Sequence, residues 1–215
     1  MLEARFNKER FCEREYPYLE TSYDTKRRFC GYWHQIDELI SIKPKSILEV
    51  GVGSSFVAIY LKNKGYSTVT VDILKALNPD VVSSVINLPF ADKSFSVVSC
   101  CEVLEHIPYA QFSKALDEIH RVSQKHVVLS LPDDTAIYKF DIQLSKIMMI
   151  KKMFLDPFYK SSKLNFDGHH YWEIGKTNFP IEKIAEEIKK ANFEIIKTYR
   201  VFERPFQRFF ILRSN

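Results

Sequence analysis

The chain has 215 residues, enough for one substantial hydrophobic core, and its 46% hydrophobic and 27% charged residues are ordinary for a globular protein. Its formal charge of +4 falls well short of the dense basic footprint of a dedicated nucleic-acid binder. The charged start MLEARFNKERFCERE has no apolar segment of the secretory kind, and no apolar run approaches the roughly 20 residues that span a bilayer.

Residues 1–28 are charged and aromatic, with Tyr16, Tyr18 and Tyr23 prominent, and are expected to cap the fold. From about Phe29 a helical pattern places Tyr32, Trp33, Ile36, Leu39 and Ile40 on one face, and Pro44 closes it. Alternation follows. Residues 46–51 read as a strand, 54–64 as a helix ending at Gly65, 67–72 and 81–86 as two more strands, and 95–101 as a fourth. A helix over 109–123 carries Phe112, Ala115, Leu116, Ile119 and Val122 on one face, and 126–131 is a fifth strand stopped by Pro132. Strands alternating with helices give an α/β fold with a mostly parallel sheet covered on both faces.

Residues 133–178 interrupt this rhythm and are expected to form an insert or lid on the substrate side. The run KIMMIKKMFLDPFYKSSK, 146–163, interleaves lysines with Met and Phe. It reads as a lid with an apolar face, or as a segment in weak contact with a membrane surface. Pro180 is a good first helical residue, and Ile181, Ile184, Ala185, Ile188 and Ala191 form an apolar stripe behind it. Two strand-like runs, 194–202 and 209–212, are joined by a short turn around Pro205 and form an antiparallel pair at a sheet edge. The four cysteines, Cys12, Cys30, Cys100 and Cys101, make no C-x-x-C pair, which argues against zinc; Cys100 and Cys101 fall in a core strand as small hydrophobes, and a reduced cytoplasmic protein is expected.

SILEVGVGSS, 46–55, carries the chemistry. Glycines after a buried strand let the backbone approach a ligand at the next helix N-terminus, and Asp72 ends the following strand where a carboxylate can meet ribose hydroxyls. A dinucleotide site would place a third glycine where Phe56 stands, and Glu49 would repel a pyrophosphate. A cationic sulfonium with an ammonium group beside it reverses that sign and points to S-adenosylmethionine.

With these residues in place the chain resembles the class I S-adenosylmethionine-dependent methyltransferases, of the type 11-like group that modifies small molecules, quinones and glycans. ILEVGVGSS looks like their first motif, VDI at 71–73 like the acidic end of their second strand, and LPFADKSFSVVSCCEVLEHIP, 88–108, like their LPF…SFDVV…VLEHI block. ANFEIIK resembles their last helix-to-strand step, so the likeness covers about 29–212. It implies a single domain with a Rossmann-like, seven-stranded, mostly parallel sheet whose last strand is antiparallel.

Carried over by position, the resemblance implies that Gly51 and Gly53 line the methionine part of the cofactor with Glu49 nearby. Asp72 holds the ribose, Ile73 packs on the adenine, Ser84 and Val85 lie at the adenine edge, and the Cys101 backbone sits beside the amino end. Ser84 stands in place of the usual carboxylate and Ser96 in place of a common Asp. The expected reaction is direct displacement of the methyl group by a small-molecule, sugar or lipid-like acceptor, with S-adenosylhomocysteine as product. A non-catalytic cofactor-binding protein and a nicotinamide oxidoreductase are the alternatives.

Further along, DGHHYWEIG, 167–175, precedes the last helix, where related enzymes often carry a histidine. His106, His169 and His170 are the candidates for a general base, and Tyr171, Trp172 and Glu173 for substrate contacts; the alternative is that these aromatics glue the insert to the core. Glu102 and Glu105 are assigned to local bonding in their turn. No metal site is assigned, because the spacing of these histidines is not that of a ligand motif.

Overall fold

The computed structural model describes residues 18, 20, 22–144, 148–166 and 168–215. Tyr16, and parts of the 146–163 and 167–175 stretches, lie outside the described residues. Helix α1 spans Lys26–Ser41, with Thr25 as N-cap accepting from the Arg28 N–H at 3.3 Å. It leads into β1 (Ile47–Val50), α2 (Phe56–Asn63) and β2 (Thr68–Asp72). Then come β3 (Val81–Val82), β4 (Phe95–Cys101), α3 (Phe112–Val122) and β5 (Ser123–Pro132). A hairpin of β6 (Ile137–Gln143) and β7 (Met149–Leu155) precedes α4 (Ile181–Lys190), β8 (Phe193–Arg200) and β9 (Gln207–Ser214).

Among the described residues seven strands make the main sheet, in the order β3-β2-β1-β4-β5-β9-β8. All neighbours from β3 to β5 are parallel, while β9 runs antiparallel to both β5 and β8. Strand alternation decides which layer each residue feeds. Leu48 and Val50 point into a core with α3 and α4, whereas Ile47 points into a second core with Ile36 and Leu39 of α1 and Leu61 of α2. Glu49 shares the α1 face with Ile47, which is why its partner comes from α1.

The third strand is shorter than the expected 81–86. Ser83 Oγ donates to the Asn87 carbonyl at 2.7 Å and the Asn87 N–H donates to the Ser84 carbonyl at 3.0 Å, closing a turn where the ladder would continue. The run 146–163 contributes β7. In its ladder Lys139 faces Met153 and Asp141 faces Lys151, and Lys139 and Lys151 both lie over the Phe202 ring, at 4.2 and 5.2 Å. The hairpin's other face turns Tyr138, Phe140 and Phe154 outward, each about half exposed.

Residues 168–175 are fastened to the sheet. The Tyr171 N–H donates to the Glu105 carbonyl at 2.8 Å and the Ile174 N–H to the Pro132 carbonyl at 3.0 Å. Beside them the buried Asp133 accepts from Arg208 Nε at 2.6 Å, and Arg200 donates to its carbonyl at 3.0 Å, tying the end of β5 to β8 and β9. No helix among the described residues is long and apolar enough to cross a membrane.

Candidate active site

The parallel strands end on one edge of the sheet, and the loops there surround a cavity of about 360 Å³. The β1–α2 turn forms one wall. Gly51 has φ +84° and a β-carbon there would stand 2.3 Å from Val103 Cγ2, so this position needs both the freedom and the bareness of glycine. Gly53 has φ +52° but open space around it, Tyr23 Oη being 3.9 Å from a β-carbon. Ser55, the residue before α2, is also left-handed at φ +63° and places no side-chain cap on the helix, so the turn presents backbone to the cavity.

Asp72 reaches back over this turn. Its Oδ2 accepts from the Val52 N–H at 2.9 Å and its Oδ1 from the Leu74 N–H at 2.8 Å. Each oxygen keeps a lone pair for a hydroxyl donor from the cavity side. Ile73, Ser84 and Val85 line the same region.

At the cavity floor Glu49 is 3% exposed. Gln35 Nε2 donates to its Oε1 at 3.4 Å and to Ser99 Oγ at 2.9 Å, while Oε2 has no hydrogen-bond partner among the described residues. Burial pushes this carboxyl up to about 8. An orphaned buried carboxylate at the edge of a cavity fits a cationic group. Burial also pushes the Cys101 thiol up to about 12, so this lining residue is no thiolate nucleophile at neutral pH.

Further lining comes from the segment after β4 and from distant loops. His106 and His169 line the cavity, and His106 Nδ1 lies 3.0 Å from the His169 carbonyl. Glu102 accepts from Ser130 Oγ at 3.2 Å and from Arg204 at 3.3 Å, a reach across two strands rather than within its own turn. Glu105 is fully buried, and neither carboxylate oxygen has a hydrogen-bond partner among the described residues. Burial, with the Glu102 charge close by, pushes the Glu105 carboxyl well above the usual range.

Trp172 is corrected from a substrate contact to a core residue. It is fully buried against Phe112, Tyr109 and Phe179, with ring centroids 4.8, 5.2 and 6.1 Å away, because the chain at 171–174 is pinned to β5 and turns the indole inward. Tyr171 and Glu173 also lie outside the cavity lining: Tyr171 packs on Phe166 at 4.8 Å and Glu173 meets His170 Nδ1 at 2.6 Å. His170 stands behind His106, ring to ring at 4.9 Å. Tyr18 and Tyr23 line the cavity, with the Arg28 guanidinium 3.7 Å over the Tyr23 ring. Gln35, Arg28, Val103 and Arg204 were not foreseen; no short motif marks them, since each meets the site from a separate element.

Residues 48–131, which carry the turn, the floor and the His106 loop, match the family model of a methyltransferase domain. The chain is 29% identical over 174 residues to an uncharacterized protein of Methanocaldococcus jannaschii, 73% of this chain and 74% of that protein. Its fold is similar to that of an S-adenosylmethionine-dependent methyltransferase from Clostridium acetobutylicum, with a TM-score of 0.60 at 13% identity, covering 93% and 96% of the two chains. It is also similar to the 1,6-didemethyltoxoflavin-N1-methyltransferase of Burkholderia thailandensis, crystallised with 1,6-didemethyltoxoflavin and S-adenosylhomocysteine. There the TM-score is 0.58 at 13% identity, covering 91% of this chain and 81% of that one.

Proposed function

We propose that the protein is an S-adenosylmethionine-dependent methyltransferase that modifies a small organic acceptor held between the β1–α2 turn and the His106 loop. The observation that carries the reading is one cavity lined by Gly51, Asp72 and the orphaned Glu49 carboxylate together with His106 and His169. Gly51 and Gly53 let backbone approach the methionine part, Glu49 supplies a countercharge, and Asp72 takes the ribose hydroxyls. Ile73, Ser84 and Val85 surround the adenine, and the Cys101 backbone lies beside the amino end. The bound cofactor supplies a methyl group already activated by the positive charge on sulfur. The protein's share is alignment of the two reactants and exclusion of water, worth up to roughly 7–11 kcal/mol in well-oriented systems.

His106 and His169 are the groups placed to take a proton from an acceptor hydroxyl, with His170 behind them. The β6–β7 hairpin acts as the lid: Lys151 pairs with Glu203 at 3.0 Å, next to Arg204 of the cavity lining. The small molecule bound by the Burkholderia enzyme of similar fold supports an acceptor of that class.

The test is calorimetric titration of the protein with S-adenosylmethionine, S-adenosylhomocysteine and NAD, repeated on Gly51→Val and Asp72→Ala. Micromolar binding of the first two, lost in both variants, supports the site, and methyl transfer is then screened on hydroxylated and heteroaromatic acceptors. Binding of NAD alone overturns the reading.

A further inference from the structure

Glu105, His106 and His170 come together from two segments distant in sequence. One ligand-type atom from each lies within 4.8 Å of the other two. His106 Nε2 is 3.9 Å from Glu105 Oε1, and the two imidazoles meet edge to face. Glu105 is wholly buried, and its two oxygens have no hydrogen-bond partner among the described residues. A buried carboxylate left unmatched is destabilising, and a cation would offset that.

The outer contacts are those of ligating histidines. His106 Nδ1 faces the His169 carbonyl at 3.0 Å and His170 Nδ1 faces the Glu173 carboxylate at 2.6 Å. An acceptor at Nδ1 holds the ring proton there and assigns the lone pair to Nε2, fixing ring orientation as second-layer partners do in metal sites. The Tyr171 N–H to Glu105 carbonyl bond stitches the two ligand-bearing segments beside the cluster.

We propose that Glu105, His106 and His170 bind a divalent transition-metal ion of the zinc class at the wall of the cavity. Two imidazoles and one carboxylate make three protein ligands and leave coordination positions open. Bonds of about 2.0–2.2 Å would set the donor atoms about 3–3.5 Å apart, so the cluster draws in by roughly 1 Å around the ion. Because His106 lines the cavity, an open position borders it and suits an oxygen of the acceptor; with Nε2 on the ion His106 is a ligand and not a base, and proton removal then falls to His169. That last step rests on the methyl-transfer reading; the ion site itself does not.

The experiment uses the full chain, free of any affinity tag, stripped with a chelator and titrated with Co²⁺ by visible absorption and with Zn²⁺ by calorimetry, with and without S-adenosylhomocysteine. The expected result is saturable uptake of one equivalent, weakened about tenfold or more in Glu105→Gln and in His170→Ala. Zn²⁺ should also raise the melting temperature of the parent and not of Glu105→Gln. No saturable uptake by the parent overturns the proposal, as does unchanged affinity in both variants. Retained S-adenosylhomocysteine binding in a parent that takes no metal removes the ion site and leaves the cofactor reading standing. Metal uptake without any cofactor binding does the reverse.

Discussion

Gln35 on α1 donates to Glu49 on β1 across 3.4 Å, and this is the one hydrogen bond that the buried carboxylate receives among the described residues. Burial outweighs it and holds the carboxyl at about 8. The folded value lies above the unfolded one, so the native state binds the extra proton between the two. Stability from this group is therefore full below about pH 4.5 and declines as pH rises toward about 8. A cationic cofactor favours the ionised form, so its binding should release a proton at neutral pH. S-adenosylmethionine affinity is expected to climb by up to about tenfold per pH unit between about pH 6 and 8. Calorimetry in buffers of different ionisation enthalpy reads the proton directly, and Glu49→Gln should abolish both the release and the slope. A flat affinity in the parent across that range removes Glu49 from cofactor binding.

The two motif glycines should respond differently to alanine. At Gly51 the new methyl meets Val103 at 2.3 Å and the backbone is left-handed, so a loss of about 2–4 kcal/mol is expected from strain and overpacking together. At Gly53 the space is open and only the left-handed backbone is penalised, about 1–2 kcal/mol. Denaturant unfolding measures both, and adding Val103→Ala to Gly51→Ala should recover part of the loss. Equal losses at the two positions would show that Val103 is not what excludes a side chain from the turn.

What could be read from the chain alone follows the range of the interactions. β1, β2, β4 and the G-x-G turn are contiguous patterns with their own residues to announce them, and Asp72 sits a fixed step after the turn. Gln35 against Glu49, Val103 against Gly51 and Arg204 against Glu102 are pairings between separate elements, and no local pattern carries them. The 167–175 stretch leaves a packing and a pocket reading open for a related reason. Two histidines beside a tyrosine and a tryptophan have the composition of a pocket, but the bonds to Glu105 and Pro132 decide which way each side chain turns. The hairpin was obscured because KIMMIKKMF alternates imperfectly, and its register depends on β6 across the ladder.

Trp172 and Asp72 separate a packing role from a binding one. Trp172→Ala removes an indole enclosed by three aromatic rings and should cost about 3–5 kcal/mol. Trp172→Phe keeps most of the contact area and should retain stability together with cofactor binding. By contrast Asp72→Asn leaves an acceptor for the Val52 or Leu74 N–H and should unfold within about 1–2 kcal/mol of the parent, while S-adenosylmethionine affinity falls about tenfold or more. Parallel unfolding and calorimetry on the three variants checks this. A Trp172→Phe protein that folds as the parent does but turns over its acceptor poorly would return Trp172 to the substrate side.

The hairpin offers the last test, because its two faces have different work. The inward face is held by Lys139 and Lys151 over Phe202 and by the Lys151–Glu203 pair. Its outward face presents Tyr138, Phe140 and Phe154 to solvent, and Phe140 and Phe154 touch at 6.1 Å. Exposed apolar side chains add little to folding, so Phe140→Ser with Phe154→Ser should leave the melting temperature within about 2 °C of the parent. If the hairpin closes over the acceptor, the double variant raises KM for the acceptor and leaves S-adenosylmethionine affinity alone. If the face meets a membrane instead, the parent co-sediments with anionic vesicles and the double variant does not. Unchanged acceptor kinetics together with no vesicle binding by the parent would leave the hairpin without a part in either step.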